Sequence, residues 1–149
     1  MKSLVWLRND LRMDDNPALK HACLNSDEVH CLYLYQPDQM KLHNVASCKI
    51  EFIIENLKDL ESSLSKINVP LTVITSKCFD DCPNLIIDVI NKRSIKKVYW
   101  NNQFGFDEQR RDSAVKDVLD RNNIYNESFD DQVIYPPGTC LLYTSDAAD

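Results

Sequence analysis

A dense group of charged side chains directly follows the first apolar run of the chain. Arg8, Asp10 and Arg12 lie in the segment 8–16, which also contains two further aspartates. Guanidinium groups and carboxylates form charge-assisted hydrogen bonds when a fold brings them together. The pattern predicts that these three side chains form a paired network bracing the edge of a sheet. A solvated charged loop is the alternative interpretation.

Motifs typical of phosphate binding, acyl transfer or metal binding are missing. The chain has two glycines, Gly105 and Gly138, so neither GxGxxG nor GxxxxGK[ST] is present. A GxSxG nucleophile elbow is absent as well. Cys78 and Cys82 are spaced CxxxC, but no second ligand pair follows at zinc-site spacing. We therefore expect no metal site and six reduced, mostly buried thiols.

Length, charge and hydropathy narrow the class of protein. A chain of 149 residues suits one domain, and 17 basic against 23 acidic residues gives a net charge of −6. An acidic surface argues against a nucleic-acid platform, because phosphate binding needs clustered Lys and Arg. No apolar run approaches the ~18 residues of a membrane-spanning helix, and the early charges are unlike a signal peptide. We expect a cytoplasmic protein with no membrane contact.

Short apolar runs alternate with amphipathic segments along the chain. The pattern predicts strands at 4–7, 29–35, 71–75, 97–100 and 124–129, and helices at 17–26, 47–67, 80–93 and 107–122. Asn16 and Pro17 are typical of a helix start. This order favours an α/β fold, a Rossmann-like doubly wound five-stranded parallel sheet of order 3-2-1-4-5. Ligands of such sheets bind at the carboxyl ends of the strands, here beside the loops 8–16, 36–46 and 101–106.

Motifs at both ends resemble the DNA photolyase and cryptochrome family. Residues 4–12, LVWLRNDLR, followed by DNPAL at 15–19, are similar to the family signature WFRxDLRxxDNPAL. Residues 129–134, FDDQVI, followed by PPG, are similar to the segment that leaves strand 5 and enters the interdomain linker. The resemblance covers residues 1–139. It is closest to the folate-carrying class I type, which repairs cyclobutane pyrimidine dimers.

The resemblance implies an antenna site for 5,10-methenyltetrahydrofolate. Carried over by position, His43 would contact the folate and Glu108 would hydrogen-bond the pterin ring. Asp107 stands where the folate-binding type usually has Asn, and a carboxylate accepts hydrogen bonds but cannot donate them. Two alternatives stay open at this point: His43 as an ordinary surface histidine, and Asp107 as a helix N-cap.

Aromatic side chains surround the same segments. Trp6, Trp100, Phe104 and Phe106 are candidates for the lining of an antenna cleft, although aromatics in and after buried strands are more often core residues. Tyr33 and Tyr35, on the second predicted strand, are expected in the core or half-buried.

The resemblance also implies a domain organisation. Residues 1–131 would form the antenna domain and 132–139 the start of the linker. FAD, the tryptophan electron-transfer chain and the face that binds damaged DNA would belong to an all-helical carboxy-terminal domain in cis, in a monomeric parent. No catalytic residue of the family maps onto this chain. The chain alone is then an incomplete photolyase, or an incomplete cryptochrome photoreceptor. A stand-alone nucleotide-binding α/β module is a further alternative.

The last ten residues, 140–149, match neither the family nor any predicted element. They resemble the translation of a sequencing adapter, so we expect them to be non-native and poorly ordered.

Overall fold

A parallel sheet of five strands forms the centre of the molecule, in a computed structural model that describes residues 1–135 and 137. The strand order is β3-β2-β1-β4-β5, as predicted. The strands are β1 Lys2–Leu7, β2 Glu28–Tyr35, β3 Leu71–Thr75, β4 Lys97–Asn101 and β5 Tyr125–Phe129. The helices are α1 Pro17–Asn25, α2 Pro37–Leu42, α3 Ser47–Ser65, α4 Cys82–Arg93 and α5 Phe106–Arg121, and a 3₁₀ turn spans Phe79–Asp81.

Strand β1 is the central strand of the sheet. Val5 pairs with Cys31 of β2 on one side and with Tyr99 of β4 on the other. Because side chains alternate along a strand, Val5 and Leu7 face one layer of helices, and Leu4 and Trp6 face the other. The sheet therefore has two separate cores, one on each face.

Each core draws its helical side chains from different segments. The first is closed by α1 and α3, chiefly through Ala18, Leu60 and Leu64. The second is closed by α4 and α5, chiefly through Ile86 and Val115. Burial on both faces explains why the central strands read as continuous apolar runs.

Local chemistry sets the start of α1 as predicted. The side-chain oxygen of Asn16 accepts a hydrogen bond from the backbone N–H of Leu19 at 3.1 Å, and Pro17 occupies the first helical position. Proline is tolerated there because its missing N–H would have no partner within the helix.

The segment 36–46 differs from the prediction of a loop. Residues Pro37–Leu42 form the helix α2, which begins at a proline and ends at His43. Six residues make fewer than two turns, which is too short for a helical hydrophobic pattern to show in the sequence. The error matters because α2 carries one wall of the cavity described below.

The apolar stripe of α3 is less buried than its periodicity predicts. Leu57, Leu60 and Leu64 are buried, whereas Ile54 is 40% exposed and the helix ends at Ser65, before Ile67. The prediction that the thiols are mostly buried is also wrong, since Cys31 and Cys82 are buried but Cys23 and Cys48 are exposed.

Two further predictions concern membrane contact and the end of the chain. None of the helices in the described ranges is long and apolar enough to cross a membrane. The expected disorder of residues 140–149 lies outside the described residues.

The buried thiol of Cys31 makes the stability of the fold depend on pH in the alkaline range. Burial raises the pKa of the Cys31 thiol from 9.0 to about 12. Between about pH 9 and about pH 12 the unfolded chain loses this proton and the folded chain keeps it, so the free energy of unfolding falls as pH rises. We expect wild type to lose about 2 kcal/mol more than Cys31→Ala between roughly pH 8 and roughly pH 10.5, by urea unfolding.

Cys48→Ala is the matched control, because the Cys48 side chain is exposed. It should follow the wild-type pH dependence. An identical alkaline loss in Cys31→Ala and wild type would contradict the buried placement of this thiol.

Candidate functional site

A cavity of about 140 Å³ lies at the carboxyl ends of β1 and β2. All three loops that the sequence predicted to surround a ligand contribute to it, through Arg8 and Asn9, through residues of 36–45, and through Gln103. The remaining wall comes from the starts of α3 and α5 and from the 3₁₀ turn. The cavity thus lies where ligands of doubly wound sheets bind.

His43 is the meeting point of the polar wall. Its Nε2 lies 3.2 Å from Asp107 Oδ2, and its Nδ1 lies 3.8 Å from Glu108 Oε1. The structure therefore brings together the three candidate residues, although His43 is 64 positions before Asp107 in the sequence. His43 and Glu108 line the cavity, whereas Asp107 lines a neighbouring surface cleft.

The interpretation of Asp107 as a helix N-cap is wrong. The N-cap of α5 is Gly105, and Asp107 lies in the first helical turn, where a carboxylate interacts favourably with the helix dipole. Its side chain faces His43 instead of capping a backbone N–H.

Gln39 and Phe79 position His43, and sequence reasoning missed both. Nε2 of Gln39 lies 3.0 Å from His43 Nε2, and the Phe79 backbone N–H donates to Gln39 Oε1 at 3.4 Å. The Phe79 ring meets the His43 ring edge-on, with centroids 5.7 Å apart. The short helix α2 places Gln39 and His43 one turn apart, so only recognition of that helix could have found this pair.

Gly105 leaves room for the side chain of Glu108. A Cβ at this position would collide with Oε2 of Glu108, whose side chain folds back over the start of α5. A larger residue at 105 would therefore displace Glu108 from its place beside His43.

The apolar wall contains one of the four aromatic candidates. Trp6 lines the cavity, whereas Trp100 is buried behind it with ring centroids 6.2 Å apart. Phe104 and Phe106 are not among the lining residues, and Phe106 is 82% exposed. Tyr33 is buried, as predicted, and it also lines the cavity.

Arg111 fills the space between the aromatic rings. Its Cζ lies 4.9 Å from the centre of the Trp6 ring and 4.5 Å from that of Phe79. The guanidinium donates to Gln103 Oε1 at 2.8 Å and to Asp112 Oδ1 at 2.8 Å. No motif in the sequence distinguished this arginine from the exposed Arg110.

Arg8 and Asp112 form the buried ion pair beneath the cavity. Nη1 of Arg8 donates to Asp112 Oδ1 at 3.0 Å, and the side chains are 6% and 13% exposed. Burial lowers the pKa of Arg8 to about 10, so the guanidinium stays charged at neutral pH. Asp112 therefore serves two cations, Arg8 and Arg111, with one oxygen atom.

The predicted network at the sheet edge is present in part. Asp10 Oδ1 accepts from the backbone N–H of Arg8 at 2.8 Å, and Asp10 Oδ2 accepts from Asn101 Nδ2 at 2.6 Å. Asn101 also bonds Asn16, so the ends of β1 and β4 and the start of α1 share one buried polar junction. Arg12 lies outside the junction and pairs with Asp131 at 2.7 Å.

Comparisons with known proteins identify the family. The family model described as DNA photolyase matches residues 3–148. The deoxyribodipyrimidine photo-lyase of Escherichia coli (strain K12) is 35% identical over 139 residues, which cover 93% of this chain and 29% of that protein. Cryptochrome-1 of Spalax judaei is 36% identical over 117 residues, which cover 78% of this chain and 19% of the relative.

A solved structure agrees at the level of fold. The archaeal photolyase from Sulfolobus tokodaii, described with two FAD molecules, aligns with a TM-score of 0.76 at 23% identity, covering 91% of this chain and 31% of that one. The chain thus spans about 29% of the length of the curated photolyases that it matches.

Removal of Asp112 should destabilise the protein strongly. Asp112→Ala leaves two buried guanidinium groups without their shared carboxylate, and breaking a buried pair costs about 3–5 kcal/mol of unfolding free energy. Urea unfolding of wild type and variant measures the loss. Asp117→Ala, an exposed aspartate on the same helix, is the control and should change stability by less than about 0.5 kcal/mol. Equal effects of the two substitutions would contradict the role given to Asp112.

Proposed function

The chain belongs to the DNA photolyase family, and on this premise we propose that it is the antenna-binding domain of a light-driven pyrimidine-dimer photolyase. The observation that carries the proposal is the cavity itself, which combines a wall of aromatic rings with a cluster of hydrogen-bonding side chains. The proposed ligand is 5,10-methenyltetrahydrofolate, which absorbs near-ultraviolet and blue light when bound.

The cavity is large enough to enclose one ring system of a ligand, but not a whole folate. Sites for whole drug-sized molecules measure about 300–1,000 Å³, whereas this cavity measures about 140 Å³. The pterin ring would occupy the enclosed part. The rest of a folate would extend through the mouth, past Lys49 and Val45.

The polar wall fits the hydrogen-bonding edge of a pterin. Glu108 presents carboxylate oxygens, which accept hydrogen bonds from ring and amino N–H groups. His43 and Gln39 supply the adjacent positions, and Glu108 Oε1 lies 3.8 Å from Nδ1 of His43. Asp107 reaches the ligand only through His43, which it orients from outside the cavity. In this proposal an aspartate at 107 is compatible with folate binding, because it would contact His43 and not the ligand.

The chain's own residues bind and orient the chromophore and exclude water from it. We assign no catalytic residue to this chain. In the proposed parent, FAD would lie in a second domain in cis and would donate the electron that splits the dimer, and that domain would contact the damaged DNA. The net charge of −6 fits such a division, because the phosphate-binding surface would be elsewhere. We propose a cytoplasmic, monomeric parent.

A cryptochrome photoreceptor is the second candidate. The similarity to Cryptochrome-1 of Spalax judaei supports it, at 36% identity over 78% of the chain, against 35% over 93% for the E. coli relative. Light-dependent cleavage of cyclobutane dimers by the complete parent would support the photolyase, and its absence with flavin bound would support the cryptochrome.

Ligand binding can be tested on the chain as it stands. We expect 5,10-methenyltetrahydrofolate to bind, with a change in its absorption spectrum, and Glu108→Gln to weaken the affinity at least about tenfold. Glu55→Gln, an exposed glutamate on α3, removes the same charge away from the cavity and should leave the affinity unchanged.

Two outcomes would count against the folate assignment. Equal weakening by both substitutions would indicate a general charge effect. Binding of FAD but not of the folate would indicate that the antenna chromophore is a flavin.

The match of the family model includes residues 140–148. Because their sequence resembles the translation of a sequencing adapter, we nevertheless propose that residues 140–149 are not native and that the natural reading frame continues from the linker into a helical domain. Resequencing the source DNA downstream of codon 139 with an adapter-free library tests this directly. A frame that encodes a flavin-binding helical domain is expected. A stop codon after Asp149 would contradict the proposal and would favour a stand-alone binding module.

A further inference from the structure

Trp6 lies beneath two guanidinium groups in the wall of the cavity. Cζ of Arg8 is 4.5 Å from the centre of its ring, and Cζ of Arg111 is 4.9 Å away. All three side chains line the cavity and are buried. Two positively charged groups therefore lie against the ring of Trp6, the indole that a ligand in the cavity would contact.

Two carboxylates accompany the two guanidinium groups. Asp112 accepts hydrogen bonds from both of them through one oxygen atom. Asp10 is bonded to the backbone of Arg8 and to Asn101, and its charge also acts on the Arg8 guanidinium. The two cations are the groups stacked on the ring, and charges act strongly over such distances in a protein interior.

We infer that Arg8 and Arg111 protect Trp6 from one-electron oxidation by a photoexcited molecule in the cavity. The inference rests on the proposed function, because only a light-absorbing occupant could oxidise the indole. In the reaction that the arginines oppose, Trp6 loses one electron to the excited molecule, giving an indole radical cation and a radical anion of the occupant. Return of the electron restores both ground states and releases the excitation as heat.

The neighbouring indole makes this protection necessary. Trp100 contacts Trp6 edge-on with ring centroids 6.2 Å apart, so a second indole lies next to the first and could pass it an electron. The Trp100 N–H is buried without a hydrogen-bond acceptor among the described residues, so no side chain is placed to take its proton. Without the two guanidinium groups, Trp6 would give an electron to the excited occupant more readily, and return of that electron from the occupant to the indole would complete the quenching.

The test uses an artificial occupant, so that it does not depend on the natural ligand. Bimane, a fluorophore quenched by electron transfer from tryptophan, is attached at Lys49→Cys in the mouth of the cavity. All native cysteines except the buried Cys31 and Cys82 are replaced by serine. We expect Arg111→Gln to shorten the bimane fluorescence lifetime at least about twofold.

Three matched variants separate electron transfer from a change in packing. Arg110→Gln removes an equal charge from the adjacent, exposed position and should leave the lifetime unchanged. Arg111→Lys keeps the charge and should keep most of the lifetime. Trp6→Phe added to Arg111→Gln removes the electron donor and should restore it. Circular dichroism verifies the fold of each variant.

The results distinguish the inference from the proposed function. An unchanged lifetime in Arg111→Gln, or a shortened one that Trp6→Phe does not restore, would overturn the protection of Trp6. Failure of the folate to bind would overturn the antenna assignment, and it would leave the bimane result standing.

Discussion

One oxygen atom of Asp112 holds the candidate site together. It accepts hydrogen bonds from Arg8 at the end of β1 and from Arg111 on α5, two residues more than 100 positions apart. Buried guanidinium groups are tolerated only when they are paired, so this carboxylate permits both to lie under the cavity. Every other feature of the aromatic wall follows, since Arg111 separates Trp6 from Phe79 and Arg8 covers the ring of Trp6.

The polar wall is built on a different principle. The side chains of His43 and Glu108 are partly exposed, whereas Gln39 is buried behind them, and all three depend on two short pieces of local structure, the helix α2 and the first turn of α5. The contacts of His43 and Glu108 cost little to rearrange, because water can replace either partner. The site therefore combines a buried aromatic wall, held by paired charges, with a polar wall that can adjust. This combination suits a ligand whose ring is enclosed and whose remaining part extends outward.

The sequence predicted the sheet and its order because each strand and most helices are long enough to show a hydrophobic period. It could not show α2, whose six residues carry no period, and it therefore missed Gln39. His43, Asp107 and Glu108 came from a resemblance, and the structure places them together. Arg111 and Phe79 were missed because a guanidinium stacked between rings is a product of tertiary packing. In sequence, Arg110 and Arg111 are equivalent, whereas in the structure one is exposed and the other buried.

The central place of β1 has a consequence for synthesis on the ribosome. This strand emerges first, but its second edge is covered only after β4, about 95 residues later, has been made. At roughly 5–20 residues per second, the most apolar strand of the sheet waits about 5–20 seconds with one edge unpaired. During that interval the open edge of β1 offers its backbone N–H and C=O groups to any other strand, a hazard that the finished fold no longer reveals.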